Sequence, residues 1–312
     1  MLLSALLLFF FKNETIRGIE HTVIKGKLTY IPDSCDHCNG ENLKSVDSNM
    51  SVNLCDIQTG EIIDIVPDRR KRYLIEYFES FSKDARSMVK YITTDMYQTY
   101  IDLGIDLFPN AQIVIDKFHV VQLFTRCMQK LRIDVMKNFN TRSTNYKKLK
   151  RYWKVLLKKD FNLNGVKFYK YVHYKKWTNT KEILIDLLSL SDRLSAGHSL
   201  YQEFLYTIHN RDIDGFEAFL DKYLNQDSIP PEFETAINTL YGYKDAIVNS
   251  LETGYTNAVV EGNNNLIKSI KKTAFGFRSF QNLRLRVLLR KKIHIKKKDN
   301  IKDTICIQDA VA

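Results

Sequence analysis

Two acids and a ladder of cations carry whatever chemistry this chain performs. Glu261 heads the run NAVVEGNNNLIKSIKKTAFGF at residues 257–277, which has helical spacing and continues through Asn263, Asn264, Lys268, Lys271 and Lys272. On a helix, Asn264, Lys268, Lys271 and Lys272 share one broad face. Amides and ammonium groups on such a face suit phosphate oxygens, and a carboxylate at its head suits a divalent cation. The second acid, Asp95, closes a short apolar run at 88–93. Metal-assisted phosphoryl transfer needs carboxylates that hold magnesium ions over the scissile phosphate. Each ion takes one or two protein carboxylates and keeps water and phosphate oxygens as its other ligands. The acids must come from separate rigid elements that converge, a plan that Asp95 at a strand end and Glu261 on a later helix fit. Each also has a plainer use: Asp95 as the cap of the next helix, and Glu261 as a first-turn acid that favours the helix dipole.

The charge balance agrees with a polyanionic partner. Lys and Arg number 47 against 36 Asp and Glu, a net charge of +11, and such an excess points to nucleic acid before a merely solvated surface. Arg278, Arg284, Arg286, Arg290 and Lys291 extend the positive run. A hydrophobic fraction of 44% excludes a disordered chain, and 312 residues allow one large domain or two. Five cysteines imply no disulfide framework and fit a reducing cytosol. Cys35 and Cys38, in CDHC, have the spacing of half a zinc knuckle. A structural zinc needs four ligands, and the nearest further candidates are His37 and Cys55, so the alternative is a turn with two free thiols. The apolar run at 2–11 is too short to span a bilayer. It lacks the basic leader and small-residue cleavage site of a secretion signal, and the expectation is a buried strand or helix, or a misjudged start codon.

Periodicity supplies the elements that must position the acids. A weak strand is expected at 23–31. Residues 50–55 and 61–66 are strands joined through the turn chemistry of Asp56 to Gly60, a hairpin. Residues 72–81 have helical spacing, with Leu74, Ile75, Phe78 and Phe81 on one face. Strand 88–93, helix 96–103, strand 111–115 and helix 120–136 then alternate, which predicts a parallel portion of a mixed α/β sheet. Functional groups gather at the carboxyl ends of such strands, where Asp95 and Asp116 lie. His119, just beyond, either orients a nucleotide or pairs with Asp116, the pairing being preferred. From 146 to 249 lysines, tyrosines and phenylalanines dominate at helical spacing, a helical insertion whose aromatics are mostly core, with a few left to stack on bases. A further helix follows residue 280, and 293–298 is a basic tail.

At this point the motifs acquire a likeness. TTDMYQTY (93–100), FPNAQIVIDKFHVVQ (108–122) and NAVVEGNNNLIK (257–268) resemble the ISL-three family of insertion-sequence transposases, as does CDIQTGEIIDIVPDRR (55–70). KGKLTYIPDSCDHC (25–38) looks like the start of that family's N-terminal zinc-binding module. The resemblance implies a DDE enzyme on a ribonuclease-H-like fold with a helical insertion before the last acid. It implies magnesium-dependent cutting of element ends and their joining to target DNA. By it, Asp95 is the second acid and Glu261 the third, both ligands of magnesium, and Asp116 lies in a motif without being one of the three. The implied partners are terminal-repeat and target DNA and further copies of the transposase, in a cytoplasmic, nucleoid-associated setting without a membrane.

The departures from the family pattern matter as much. The second zinc pair, the helix-turn-helix segment and the strand bearing the first acid are missing, about a hundred residues by the usual size of such modules. Glu41 and Asp47 are the nearest acids to the first acid's place, and both read as incidental. The expected fold class is therefore α/β, a ribonuclease-H-like mixed sheet lacking its first strand, with a large all-helical insertion. The expected organisation is a zinc-module remnant at 1–42, the first part of the catalytic domain at 43–140, the insertion at 141–250, the part with the third acid at 251–298, and a tail at 299–312. The missing strand would be central, so its loss exposes two edges. The N-terminal apolar run and residues 23–31 are the candidates to fill that place. The expected function is that of a transposase-family protein impaired by internal deletion. The alternatives are a DNA-binding regulator that forms mixed oligomers with intact enzyme, and a basic RNA-binding protein.

Overall fold

The computed structural model describes residues 51–224, 229–277 and 279–292, together with the strands at 4–8, 13–16 and 19–22. Cys35, Cys38, Glu41, Asp47, Arg278, the expected strand at 23–31 and the basic tail lie outside the described residues. The chain divides into two compact units, residues 1–114 with 255–312, and residues 115–254.

The first unit is built on a five-stranded sheet. Its strands are β1 (Ser4–Leu8), β4 (Val52–Cys55), β5 (Ile62–Val66), β6 (Tyr91–Thr94) and β7 (Gln112–Ile115), in the order β5-β4-β1-β6-β7. A separate antiparallel pair, β2 (Asn13–Ile16) and β3 (Ile19–Thr22), stands apart from it. The place between β4 and β6 is thus filled by the N-terminal apolar run, which lies parallel to β4 and antiparallel to β6. β4 and β5 form the expected antiparallel hairpin. Its turn closes because the Asp56 carboxylate accepts the Gln58 and Thr59 N–H groups at 2.7 and 3.3 Å, while Gly60 takes a φ of +72°, a conformation that glycine adopts without a steric penalty.

Helices α1 (Lys71–Glu79), α2 (Lys83–Ser87) and α3 (Gln98–Leu107) connect these strands. Leu74 and Phe78 supply the buried stripe of α1, and Phe78 meets Phe108 edge-on at 5.2 Å. α3 lies so close to the sheet that a Cβ at Gly104 would stand 2.4 Å from Ile113 Cδ1. It begins after Tyr97 without a side-chain cap, so Asp95 is not spent on capping.

The second unit is helical: α4 (Lys117–Lys137), α5 (Thr144–Arg151), α6 (Trp153–Leu157), α7 (Thr180–Leu188), α8 (Asp192–Asn210), α9 (Ile213–Leu224), α10 (Pro231–Gly242) and α11 (Lys244–Thr253). The helical spacing of its aromatics has a direct cause: Phe124, Phe204, Phe219 and Phe233 meet in one core, with Phe124 stacked on Phe204 at 3.9 Å. Ser143, Asn179 and Ser191 cap α5, α7 and α8 through their side-chain oxygens. His198 is buried here beside Gln202 at 3.2 Å, and burial pushes its imidazole below the ordinary value, against a weaker pull from Asp160.

Two last helices return to the first unit, α12 (Ala258–Thr273) and α13 (Phe280–Lys292). Val260, Ile267 and Ile270 of α12 and Leu283 and Val287 of α13 close a core with Cys55, Ile62 and Ile65 of the hairpin. Arg284, counted above among cations for phosphate, instead grips the carboxylate of Asp64 at 2.5 and 2.8 Å, with side-chain exposures of 13% and 10%. The Tyr77 hydroxyl donates to the same carboxylate at 3.0 Å.

Two outcomes follow from these packings. Arg284→Ala leaves a buried carboxylate with less compensation and should cost about 3 kcal/mol in chemical denaturation. His198 has its pKa depressed by folding, so the unfolded chain binds a proton first as the pH falls. Stability should therefore decline below about pH 6.5, the ordinary histidine value, and His198→Asn should flatten that decline in melts taken across pH 5–8.

Candidate active site

The sheet sets Asp95 in a row of polar positions. Ala5 of β1 is in register with Asn53 of β4, and Leu6 with Thr94 of β6. Continuing the second register by one residue aligns position 5 with Asp95. In the same way Leu7 aligns with Cys55 on one side and Thr93 on the other. Residues directly opposite one another share a sheet face, so Asn53, Cys55, Thr93 and Asp95 all belong to one face.

α12 covers that face, and asparagines fasten it there. The Asn263 amide, 3% exposed, donates to Cys55 Sγ and to the Gly60 carbonyl, both at 3.2 Å. Asn53 Nδ2 donates to Asn264 Oδ1 at 3.2 Å. Asn264 is therefore engaged with the sheet, although the sequence had placed it among DNA contacts. Glu261 lies one turn before Asn264, exposed, in the first turn of α12. Lys268 and Lys272 are exposed on the same side of the helix and Lys271 is half-buried. Asp95 is half-buried, with Thr94 Oγ1 3.5 Å from its Oδ1.

Asp116 has a different use. Its carboxylate accepts the Phe118 N–H at 3.0 Å and caps α4, while the His119 N–H goes to the Asp116 carbonyl at 3.0 Å. The residue that sequence reasoning passed over is Asn53, buried completely in the short strand VNLC. A polar side chain inside a strand that must be central was its signal. Its Oδ1, and Thr93 Oγ1 on the same face, are buried oxygens without a hydrogen-bond partner among the described residues.

A family profile described as a transposase of the ISL-three DDE group matches residues 43–287. This chain belongs to the ISL-three family of DDE transposases. Over 109 residues it is 38% identical to a Lactococcus lactis subsp. lactis protein named as an ATP-dependent protease, a stretch that covers 35% of this chain and 34% of the relative. The chain thus spans about a third of that relative's length. No solved structure matches it. Among the described residues, no helix is long and apolar enough to cross a membrane.

The family generally works on DNA with divalent metal, so the donor set has to be measured against that ion. Its oxygens are hard donors, the type that magnesium takes. The row offers Asp95 and the unpartnered Asn53 Oδ1, and α12 offers Glu261. No group of three or more His, Cys, Asp or Glu capable of holding a metal is found among the described residues. By donor type these oxygens suit one magnesium ion, which takes one or two carboxylates, and they are too few for a two-ion centre.

The two kinds of side chain on α12 separate by stability. Asn263→Ala strips a buried pair of hydrogen bonds and should cost about 1–3 kcal/mol. Lys268→Ala, on the exposed face, should stay within about 0.5 kcal/mol in the same denaturant titration.

Proposed function

We propose that this chain is a transposase-family DNA-binding protein with a ribonuclease-H-like catalytic unit whose cutting and joining of element ends is curtailed by the lack of one acid. Residues 141–250, within the helical unit, are then the insertion that precedes the last acid. The observation that carries the reading is the register row: between Asn53 and the position of Asp95 stands Ala5, where a carboxylate would complete a set of three. Asp95 and Glu261 hold the cation. When bound, that ion supplies charge neutralisation at the phosphate and a more acidic water. Lys268 and Lys272 hold the flanking phosphates, and the Asn53–Asn264 bond orients α12 so that Glu261 faces the substrate. With two carboxylates the chain retains binding and loses most of the rate.

The test is nicking and strand transfer on terminal-repeat duplexes in magnesium. Expected is turnover near background, raised at least roughly tenfold, or about 1.4 kcal/mol of barrier, by Ala5→Asp, with the gain abolished by Asp95→Asn or Glu261→Gln. Robust turnover of the unaltered chain that is lost on Asp95→Ala would overturn the impairment. Turnover indifferent to both acids would overturn the site.

The exposed lysines of α12 bind phosphate without help from the acids, which favours a second use, regulation of an intact transposase through shared ends or mixed oligomers. Co-expression that leaves transposition frequency unchanged would count against it.

A further inference from the structure

The excursion between α6 and α7, residues 158–179, turns its large side chains outward. Trp177 is 65% exposed, Phe161 70%, and Phe168 and Tyr169 nearly half. Charge is concentrated in the same stretch: from residue 142 to 177 the sequence has twelve Lys and Arg and a single acid, Asp160. Helical spacing does not explain these rings, and the core of the second unit does not use them.

The excursion is nonetheless held firmly. Tyr169 and Thr178 exchange both backbone hydrogen bonds, at 2.8 and 3.0 Å. Asn164 Oδ1 accepts the N–H groups of Val166 and Lys167 at 3.1 and 2.9 Å, and Asn164 Nδ2 donates to the Lys167 carbonyl at 2.6 Å. The Tyr152 hydroxyl donates to the Val172 carbonyl at 2.5 Å, and the Tyr174 hydroxyl to Asp186 at 2.8 Å. Inward rings, Tyr152, Tyr171 and Tyr174, pack edge to face, and the outward rings are carried on the same fixed backbone. Exposed aromatics on an ordered scaffold bind with little further loss of conformational entropy.

We propose that this excursion is a binding site for an unpaired DNA strand. Trp177 and Phe168 offer ring faces to bases, and Lys167, Lys170, Lys175 and Lys176 hold the phosphates between them. The chemistry chooses among occupants. A second copy of the chain would set cations against cations. An intact duplex offers phosphates but keeps its base faces stacked, so it satisfies the lysines and not the rings. An unpaired strand satisfies both, which is the usual arrangement of single-strand grooves. The site is independent of Asp95 and Glu261.

The experiment measures fluorescence anisotropy of the full chain with a labelled oligo-dT and with a duplex of equal length. Trp177→Ala should weaken oligo-dT binding roughly 5- to 100-fold, the effect of about 1–3 kcal/mol per stacked base. Duplex binding should change by less than about twofold, since phosphate contacts remain. The double variant Lys175→Gln, Lys176→Gln should weaken both and flatten the salt dependence. The chain has two tryptophans, so Trp153→Phe leaves Trp177 as the reporter, whose emission should be quenched on titration with oligo-dT. Unchanged oligo-dT affinity in Trp177→Ala, absent quenching, or equal loss on duplex overturns the proposal. So does a variant that changes only the oligomeric state. All of these readings are of binding without magnesium and need no turnover, which keeps this outcome separate from that of the catalytic site.

Discussion

The first unit depends on a single gap. β4 and β6 run in opposite directions, because β1 is parallel to one and antiparallel to the other. Left empty, the gap would leave two rows of unpaired N–H and C=O groups inside the sheet, each a cost comparable to a lost hydrogen bond. Because its walls are opposed, any strand that enters meets one parallel and one antiparallel neighbour, whichever way it points. Pairing therefore selects for length and extended backbone and is nearly indifferent to direction. Five residues of a short apolar run, Ser4–Leu8, meet those terms, and the hairpin, α12 and α13 assemble on the sheet that results.

This gap also explains where sequence reasoning reached its limit. Local chemistry was legible. The hairpin at β4 and β5 followed from Asp56 to Gly60, and α1 and α4 from their apolar spacing. The boundaries shifted where local rules misled: α3 starts at Gln98, past the expected start at 96, because Tyr97 is extended and Asp95 stays at the strand end and caps nothing. Long-range pairing was not legible. The apolar run and residues 23–31 were both candidates for the gap, and neither register nor direction followed from the sequence. Arg284 counted as one more cation until its partner, Asp64, came from 220 residues away. The family motifs named Asp95 and Glu261, and no motif singled out Asn53, whose meaning depends on which face of the sheet is covered.

In the helical unit the same division holds. Phe124, Phe204, Phe219 and Phe233 form the core that their helical spacing foretold. Phe168 and Trp177, in the same lysine- and aromatic-rich composition, lie on non-helical backbone fixed by Asn164 and the Tyr169–Thr178 pair. Composition alone could not separate rings that fill a core from rings that face solvent. The separation comes from backbone hydrogen bonding, which is set by asparagine and threonine positions with little weight in a hydrophobicity pattern.

α12 shows what fixes a helix on one face of a sheet. An apolar seat of Val260, Ile267 and Ile270 holds a helix against a sheet but tolerates rotation and sliding, since burial is non-directional. Hydrogen bonds are directional, and two consecutive asparagines supply them: Asn263 to the hairpin turn and Asn264 to Asn53. Together they fix the rotation of α12 and hence the direction in which Glu261 and the exposed lysines face. Asn53, Cys55 and Gly60, the partners in that lock, belong to β4 and the turn after it. Apolar burial thus decides that α12 lies on the sheet, and the amides decide its rotation there.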